Sequence, residues 1–194
     1  MNAVPRIDAP TLETARLRLR PWQPDDRAWY LALRADPEVS RFLGDGRPQP
    51  DDAASADFEW ASSEWPRVGL GPWVVEERST GMRVGYVGLP LWREGTPEEA
   101  VEIGYGYARD AWGNGYATEA AAATMRWAFE VRGLHSLVAL TAPENRASQH
   151  VLAKLGFTRD GEAAGQHGPR SFFRVTRADF EASPPFQAAR ATSN

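Results

Sequence analysis

Gly113-Asn114-Gly115 lies between the alternating stretch Glu102-Ile103-Gly104-Tyr105-Gly106-Tyr107 and an alanine-rich run that opens with Tyr116-Ala117-Thr118-Glu119. A helix that begins there has unpaired N–H groups and a positive dipole end, and glycines lack the Cβ atoms that would hold a bulky anion away. The chemistry suited to such a turn is the cradling of a pyrophosphate. A triphosphate loop needs G-x-x-x-x-G-K-S/T, and no lysine follows either glycine. A dinucleotide site needs a third glycine where Thr118 stands and a parallel βαβ unit, whereas this motif follows a hairpin in mid-chain. Two glycines that merely make a tight turn fit the same residues.

The rest of the chain bounds what that turn can serve. Its 194 residues suit one domain, and 42% hydrophobic with 25% charged residues predicts a folded core. Cysteine is absent, which removes disulfides, thiolate metal sites and cysteine-linked acyl intermediates. A net charge of -4 argues against nucleic acid as the main partner. Of 22 basic residues only Lys154 is a lysine, a bias that carries no functional weight. The first residues lack a leader's basic and apolar regions, and no stretch reaches membrane-span length, so a cytoplasmic protein without membrane contact is expected.

Elements that would position the turn follow from periodicity. Leu12, Leu17 and Leu19 against Arg16, Arg18 and Arg20 predict a first strand with its charges on the wet face. A short helix around Trp29 and Leu33 stops at Asp36-Pro37, and a turn over 38–43 ends at Gly44. Residues 45–55, rich in Asp, Pro and Gly, read as a loop before a helix over 54–65. Period two returns at 73–77 and 83–89 as a hairpin, then over 100–107 as a third strand. The run from Ala117, with Ala121, Met125 and Phe129 in one stripe, is the strongest helix and ends at Gly133. A strand over 137–141, a helix capped by Asn145 and stopped at Gly156, and a strand pair from Gly156-Phe157 with 171–175 complete the domain. One domain over 11–180 is expected, with loose termini at 1–10 and 181–194.

Several separated pieces make the chain resemble the GNAT superfamily of acetyl-CoA-dependent N-acetyltransferases. They are Thr14-Ala15-Arg16-Leu17-Arg18-Leu19-Arg20-Pro21-Trp22, Asp36-Pro37-Glu38-Val39, Trp112 to Ala120, Asn145-Arg146-Ala147-Ser148 and Lys154-Leu155-Gly156-Phe157. The likeness runs from Leu12 to about Val175 and is closest to the branch that acetylates ribosomal-protein N-termini. One position departs, because Asp110 stands where the family's loop has Gln or Arg. An acid there is unfavourable to phosphate if it points inward.

The resemblance implies an α/β domain of the α+β type, with a mostly antiparallel, splayed central sheet and helices on both faces. It implies acetyl-CoA as co-substrate, no metal, an amine acceptor (a small molecule or a protein N-terminus), and a monomer or homodimer. Backbone groups of Trp112, Gly113, Asn114, Gly115, Tyr116, Ala117 and Thr118 would hold the pyrophosphate. The backbone near Ile103 and Tyr105 would pair with the pantetheine arm where the strands of Glu102 and Leu137 splay. Asn145 would face the arm, or serve only as a helix cap. A degenerate member that binds acyl-CoA without turnover is the alternative, favoured only by Asp110.

Direct attack by a neutral amine needs a base, an oxyanion stabiliser and an acid for the departing thiolate. An α-amine leaves about a tenth of its molecules neutral at pH 7 and a lysine amine about one in 2,500, or ~1.2 against ~4.6 kcal/mol. By their positions in the resemblance, Glu102 is the candidate base and Ser148 the candidate acid; an ordinary sheet charge and a backbone-bonded hydroxyl are their plainer readings. Tyr116 reads as packing and Glu119 as support near the helix start. His135, His150 and His167 share no ligand spacing. Trp60, Trp65, Trp73 and Trp92 are candidates to wall an acceptor pocket. Asp45, Asp51, Asp52, Asp57 and Glu59 would steer a cationic amine if they face it, or else form a solvated loop.

Overall fold

The computed structural model describes residues 9–165 and 168–191. Among the described residues are ten strands: β1 (Leu12–Glu13), β2 (Leu17–Arg20), β3 (Pro72–Glu77), β4 (Arg83–Gly88), β5 (Leu91–Trp92), β6 (Ala100–Val101), β7 (Gly104–Tyr107), β8 (Ser136–Thr141), β9 (Thr158–Gly165) and β10 (Gly168–Thr176). The helices are α1 (Arg27–Ala35), α2 (Pro37–Ser40), α3 (Asp51–Val68), α4 (Tyr116–Glu130), α5 (Arg146–Lys154), α6 (Arg177–Glu181) and α7 (Pro184–Ala191).

Strands β1-β2-β3-β4-β7 form one antiparallel sheet, β8-β10-β9 a second, and β5 with β6 a short ribbon. The two larger sheets touch through a parallel bridge between Glu102 and Val138, where the Ile103 N–H donates to the Val138 carbonyl at 2.9 Å. Beyond that contact β7 and β8 pair with other strands and not with each other. This is the expected splay.

Helix α4 covers one face because Ala120, Ala121, Met125, Ala128 and Phe129 recur at helical spacing and are buried against Leu17, Leu19, Trp73, Val75 and Val87. Trp65, Trp73 and Trp127 meet edge-on, with centroids 4.6 to 5.4 Å apart. Tyr30 of α1 and Phe58 of α3 cover the other face through Trp22 and Tyr86.

Several expectations need correction. The first strand is a hairpin, with Leu12 opposite Leu19. Arg20 is not on a wet face: it is 6% exposed and forks onto the Asp26 carboxylate at 2.7 and 2.8 Å. Helix α3 starts at Asp51, inside the expected loop, since Pro50 precedes two acids that suit a first turn. The tail is not loose through residue 191. Proline tolerates a first turn, so Pro184-Pro185 opens α7, and Phe186 is buried with its ring 5.2 Å from Phe180. At the other end the Trp73 indole donates to the Pro10 carbonyl at 2.7 Å, which pins a residue expected to be free. Among the described residues no helix is long and apolar enough to cross a membrane.

Candidate active site

Strand β7 runs into a 3-10 turn over Arg109–Ala111, and the Trp112 indole N–H donates back to the Tyr107 carbonyl at 2.8 Å. Gly113 and Gly115 follow at φ +76° and +79°, where an L side chain costs ~1–2 kcal/mol. The first helical bond of α4 runs from the Glu119 N–H to the Gly115 carbonyl at 3.1 Å. The N–H groups of Tyr116, Ala117 and Thr118 therefore have no partner among the described residues.

Side chains behind the turn hold it. The Glu119 carboxylate accepts from the Thr14 hydroxyl at 2.6 Å and from the Arg16 backbone and side chain at 3.0 and 2.7 Å. Burial works to raise this carboxyl, but the Thr14 and Arg16 bonds outweigh it and hold it below its ordinary value. Arg16 also donates to the Asn114 carbonyl at 2.9 Å. The Tyr116 hydroxyl donates to Glu77 at 2.6 Å, so its ring packs the helix start.

A groove of about 440 Å³ opens at this turn. Trp112, Gly113, Gly115, Tyr116, Ala117 and Thr118 line one end, and Tyr105, Asn145 and Ser148 the other. Asn114 is exposed and off the groove wall; its side chain folds back on the Asp110 and Trp112 carbonyls. Asp110 is likewise exposed and lines no part of the groove. Gly104 to Tyr107 pair with β4 on one side only, so the other backbone edge can receive an extended chain.

A second cavity, of about 620 Å³, adjoins the groove. Glu102, Ile103 and Arg170 line it, with Phe42, Trp60 and Trp92 as aromatic wall. The two spaces share Phe42, Leu43, Tyr105, Asn145 and Ser148. At that junction the Tyr105 and Ser148 hydroxyls lie 2.9 Å apart in a hydrogen bond that either can donate. Asn145 caps α5 by accepting from the Ser148 N–H at 3.1 Å, so the cap orients a lining residue.

Withdrawal from water pushes the Glu102 carboxyl up to about 7, and the Arg170 charge offsets only part of this. Burial likewise raises the Tyr105 phenol to about 12 against the opposing Ser148 bond, so the phenol keeps its proton at neutral pH. A carboxylate able to accept a proton thus lines the cavity, and a hydroxyl pair able to supply one stands where the two spaces meet.

Of the four tryptophans, Trp60 and Trp92 wall the cavity, whereas Trp65 and Trp73 are core residues packed on each other. None of the five acids of the 45–59 region lines it. Asp57 instead accepts from Gln49 at 2.8 Å and faces Arg34 at 3.8 Å, while Asp45 and Asp52 cap neighbouring N–H groups. His167 lies outside the described residues, and among those described no group of His, Asp and Glu could hold a metal. Sequence reasoning missed Arg170, the Tyr105 side chain and the Phe42-Leu43 partition, which carry no local motif.

Residues 16–158 match the family model described as Acetyltransferase (GNAT) domain. A curated relative is the FsC-acetyl coenzyme A-N(2)-transacetylase of Aspergillus fumigatus, 36% identical over an alignment of 155 residues that covers 77% of this chain. The match spans 65% of that protein's length. Among solved structures, an acetyltransferase of Agrobacterium tumefaciens superposes with a TM-score of 0.76 at 31% identity, covering 88% of this chain and 96% of that one. Mycobacterium smegmatis RimJ, in complex with CoA-disulfide, superposes at 0.72 and 22% identity, covering 95% of this chain and 94% of its own.

Proposed function

The chain belongs to the GNAT acetyltransferase family, and from that premise we propose that it acetylates a primary amine by direct attack, with the amine entering the cavity of Glu102. The family's co-substrate, acetyl-CoA, fits what is present: unpartnered N–H groups at the start of α4 for the pyrophosphate and an open β7 edge for the pantetheine arm. Bound there, acetyl-CoA supplies a thioester whose carbonyl carbon exchanges its sulfur for the amine nitrogen, releasing acetylated amine and CoA thiol.

Glu102 takes the proton from the attacking nitrogen, directly or through water. With its carboxyl near 7, about half the molecules hold the ionised form at neutral pH, a good match for a general base. The Tyr105–Ser148 hydroxyl pair returns a proton to the departing sulfur. Phe42 and Leu43, shared by both spaces, help keep water from the junction. The name of the Aspergillus relative, a transacetylase acting at N(2), also favours nitrogen as acceptor.

The observation that carries this reading is the meeting of groove and cavity at Tyr105 and Ser148, with Glu102 on the acceptor side. Thiol release from acetyl-CoA against a panel of small amines and peptide N-termini tests it. The chain has no cysteine, so a thiol reagent reports product alone. Amine-dependent release is expected; release that ignores the amine, or none, contradicts the proposal.

A further inference from the structure

Buried charges in this protein are neutralised by partners. Arg20 has Asp26 and Glu76, Glu64 has Arg67, and Arg34 has Gln49 and Asp57. In the acceptor cavity two partly buried charges stand outside any ion pair among the described residues. No hydrogen bond or ion pair among the described residues engages the Glu102 carboxylate, and Arg170 makes one bond, to the Gly44 carbonyl at 2.6 Å. The two share a cavity without forming an ion pair with each other. Partly buried charges without a partner are unfavourable, and a ligand with the complementary charges removes that cost.

The local structure holds Arg170 in this state. It sits on β10 opposite Ala163, and its stem lies over Gly165, where a Cβ would come within 2.7 Å of the Arg170 Cγ. Glycine therefore leaves the space that the stem occupies. The Gly44 carbonyl takes one donor of the guanidinium fork and leaves the others free, and such a fork suits a carboxylate. Trp60, Trp92 and Phe42 supply apolar wall, and about 620 Å³ is the size of a small-molecule site.

We propose that the acceptor is a small zwitterion, an amine that also carries a carboxylate, with its amine at Glu102 and its carboxylate on the Arg170 guanidinium. This rests on the transfer reading above and narrows its substrate class to amino acids and related compounds. A polyamine would instead bring a second positive charge towards Arg170. An acidic side chain near a peptide N-terminus offers the same pair of charges, and the test separates these sources.

The test compares an aromatic amino acid, its amide, its decarboxylated amine, a dipeptide with an acidic second residue and a series of ω-amino carboxylates, by thiol release from acetyl-CoA. The free acid is expected to exceed its amide in kcat/KM by about 10- to 100-fold, the range for one charge-assisted contact. Arg170→Gln should bring that ratio close to one, and Arg170→Lys should keep part of it. A dipeptide preferred over every free acid would move the carboxylate to a peptide side chain and overturn the small-molecule assignment. Acid and amide within twofold across the whole series, or a preference that survives Arg170→Gln, would overturn the pairing itself. If no amine gives release, the transfer reading fails alone, and calorimetry on the CoA-saturated protein decides the zwitterion. Tighter binding of acid than amide upholds it, and equal binding sinks it.

Discussion

The groove and the cavity meet at one hydroxyl pair but are built in opposite ways. Half of the groove's lining comes from one contiguous stretch, 104–118, which acts through backbone: two left-handed glycines, a helix start and an open strand edge. The cavity draws Phe42, Trp60, Trp92, Glu102 and Arg170 from five distant segments, and it acts through side chains. Backbone recognition constrains φ and ψ, so only certain positions are intolerant of change. Side-chain recognition constrains chemistry, so the acceptor site can be rebuilt by single substitutions while the cofactor site stays intact. One scaffold can thus keep its donor and change its acceptor.

The sharpest way to break this division is Glu102→Gln. Loss of the general base should lower kcat by about 10²–10⁴ while calorimetric affinity for CoA stays as in the wild type. A parallel loss of CoA affinity would mean that the two spaces are not separable. The same variant has a stability signature. The folded chain holds the Glu102 proton to about 7 against an ordinary carboxyl value of 4.5, so this residue's contribution to stability falls as pH rises between those values and is level above. Near pH 4 the variant and wild type should unfold at the same denaturant concentration; above pH 8 the variant should be more stable, by up to ~3 kcal/mol.

Gly115→Ala probes the other side. At φ +79° a methyl group brings backbone strain while its nearest neighbour, Arg16, is an ordinary 3.5 Å away. CoA binding should weaken about 5- to 30-fold by calorimetry, with the acceptor's KM little changed. The smallest effect is expected at the junction. A thiol with a pKa near 8.5 is already a fair leaving group, so Tyr105→Phe or Ser148→Ala should slow single-turnover transfer only about tenfold. Full retention of the rate in both variants would assign the pair a structural role.

The same division explains what could be read in advance. The turn and helices of the groove were legible, though not the Tyr105 side chain or Phe42-Leu43, because their signals are local: the glycine pair, the helix stripe of Ala121, Met125 and Phe129, and the Asn145 cap. The exception is Asn114, whose backbone carbonyl is tied to Arg16 and whose side chain turns away, a placement that depends on a distant hairpin. Arg170 is one arginine among many until β10 pairs with β9 and Gly44 is brought opposite. The break between β6 and β7 at Glu102-Ile103 was hidden because the period of two runs through it; only the bridge to Val138 shows that the strand leaves one sheet to touch the other. A late start for α3 and a loose tail in place of α7 are expected partly because prolines near 50 and 184–185 suggest loop, when at a helix start they are compatible with the first turn.

The most direct test of the account is the pH dependence of kcat/KM for the wild type and Glu102→Gln with one amine. The wild type should show an acidic limb that breaks near pH 7 and is one unit of slope steeper below that point than the variant's. Identical profiles in the two proteins would mean that Glu102 does not remove the amine's proton.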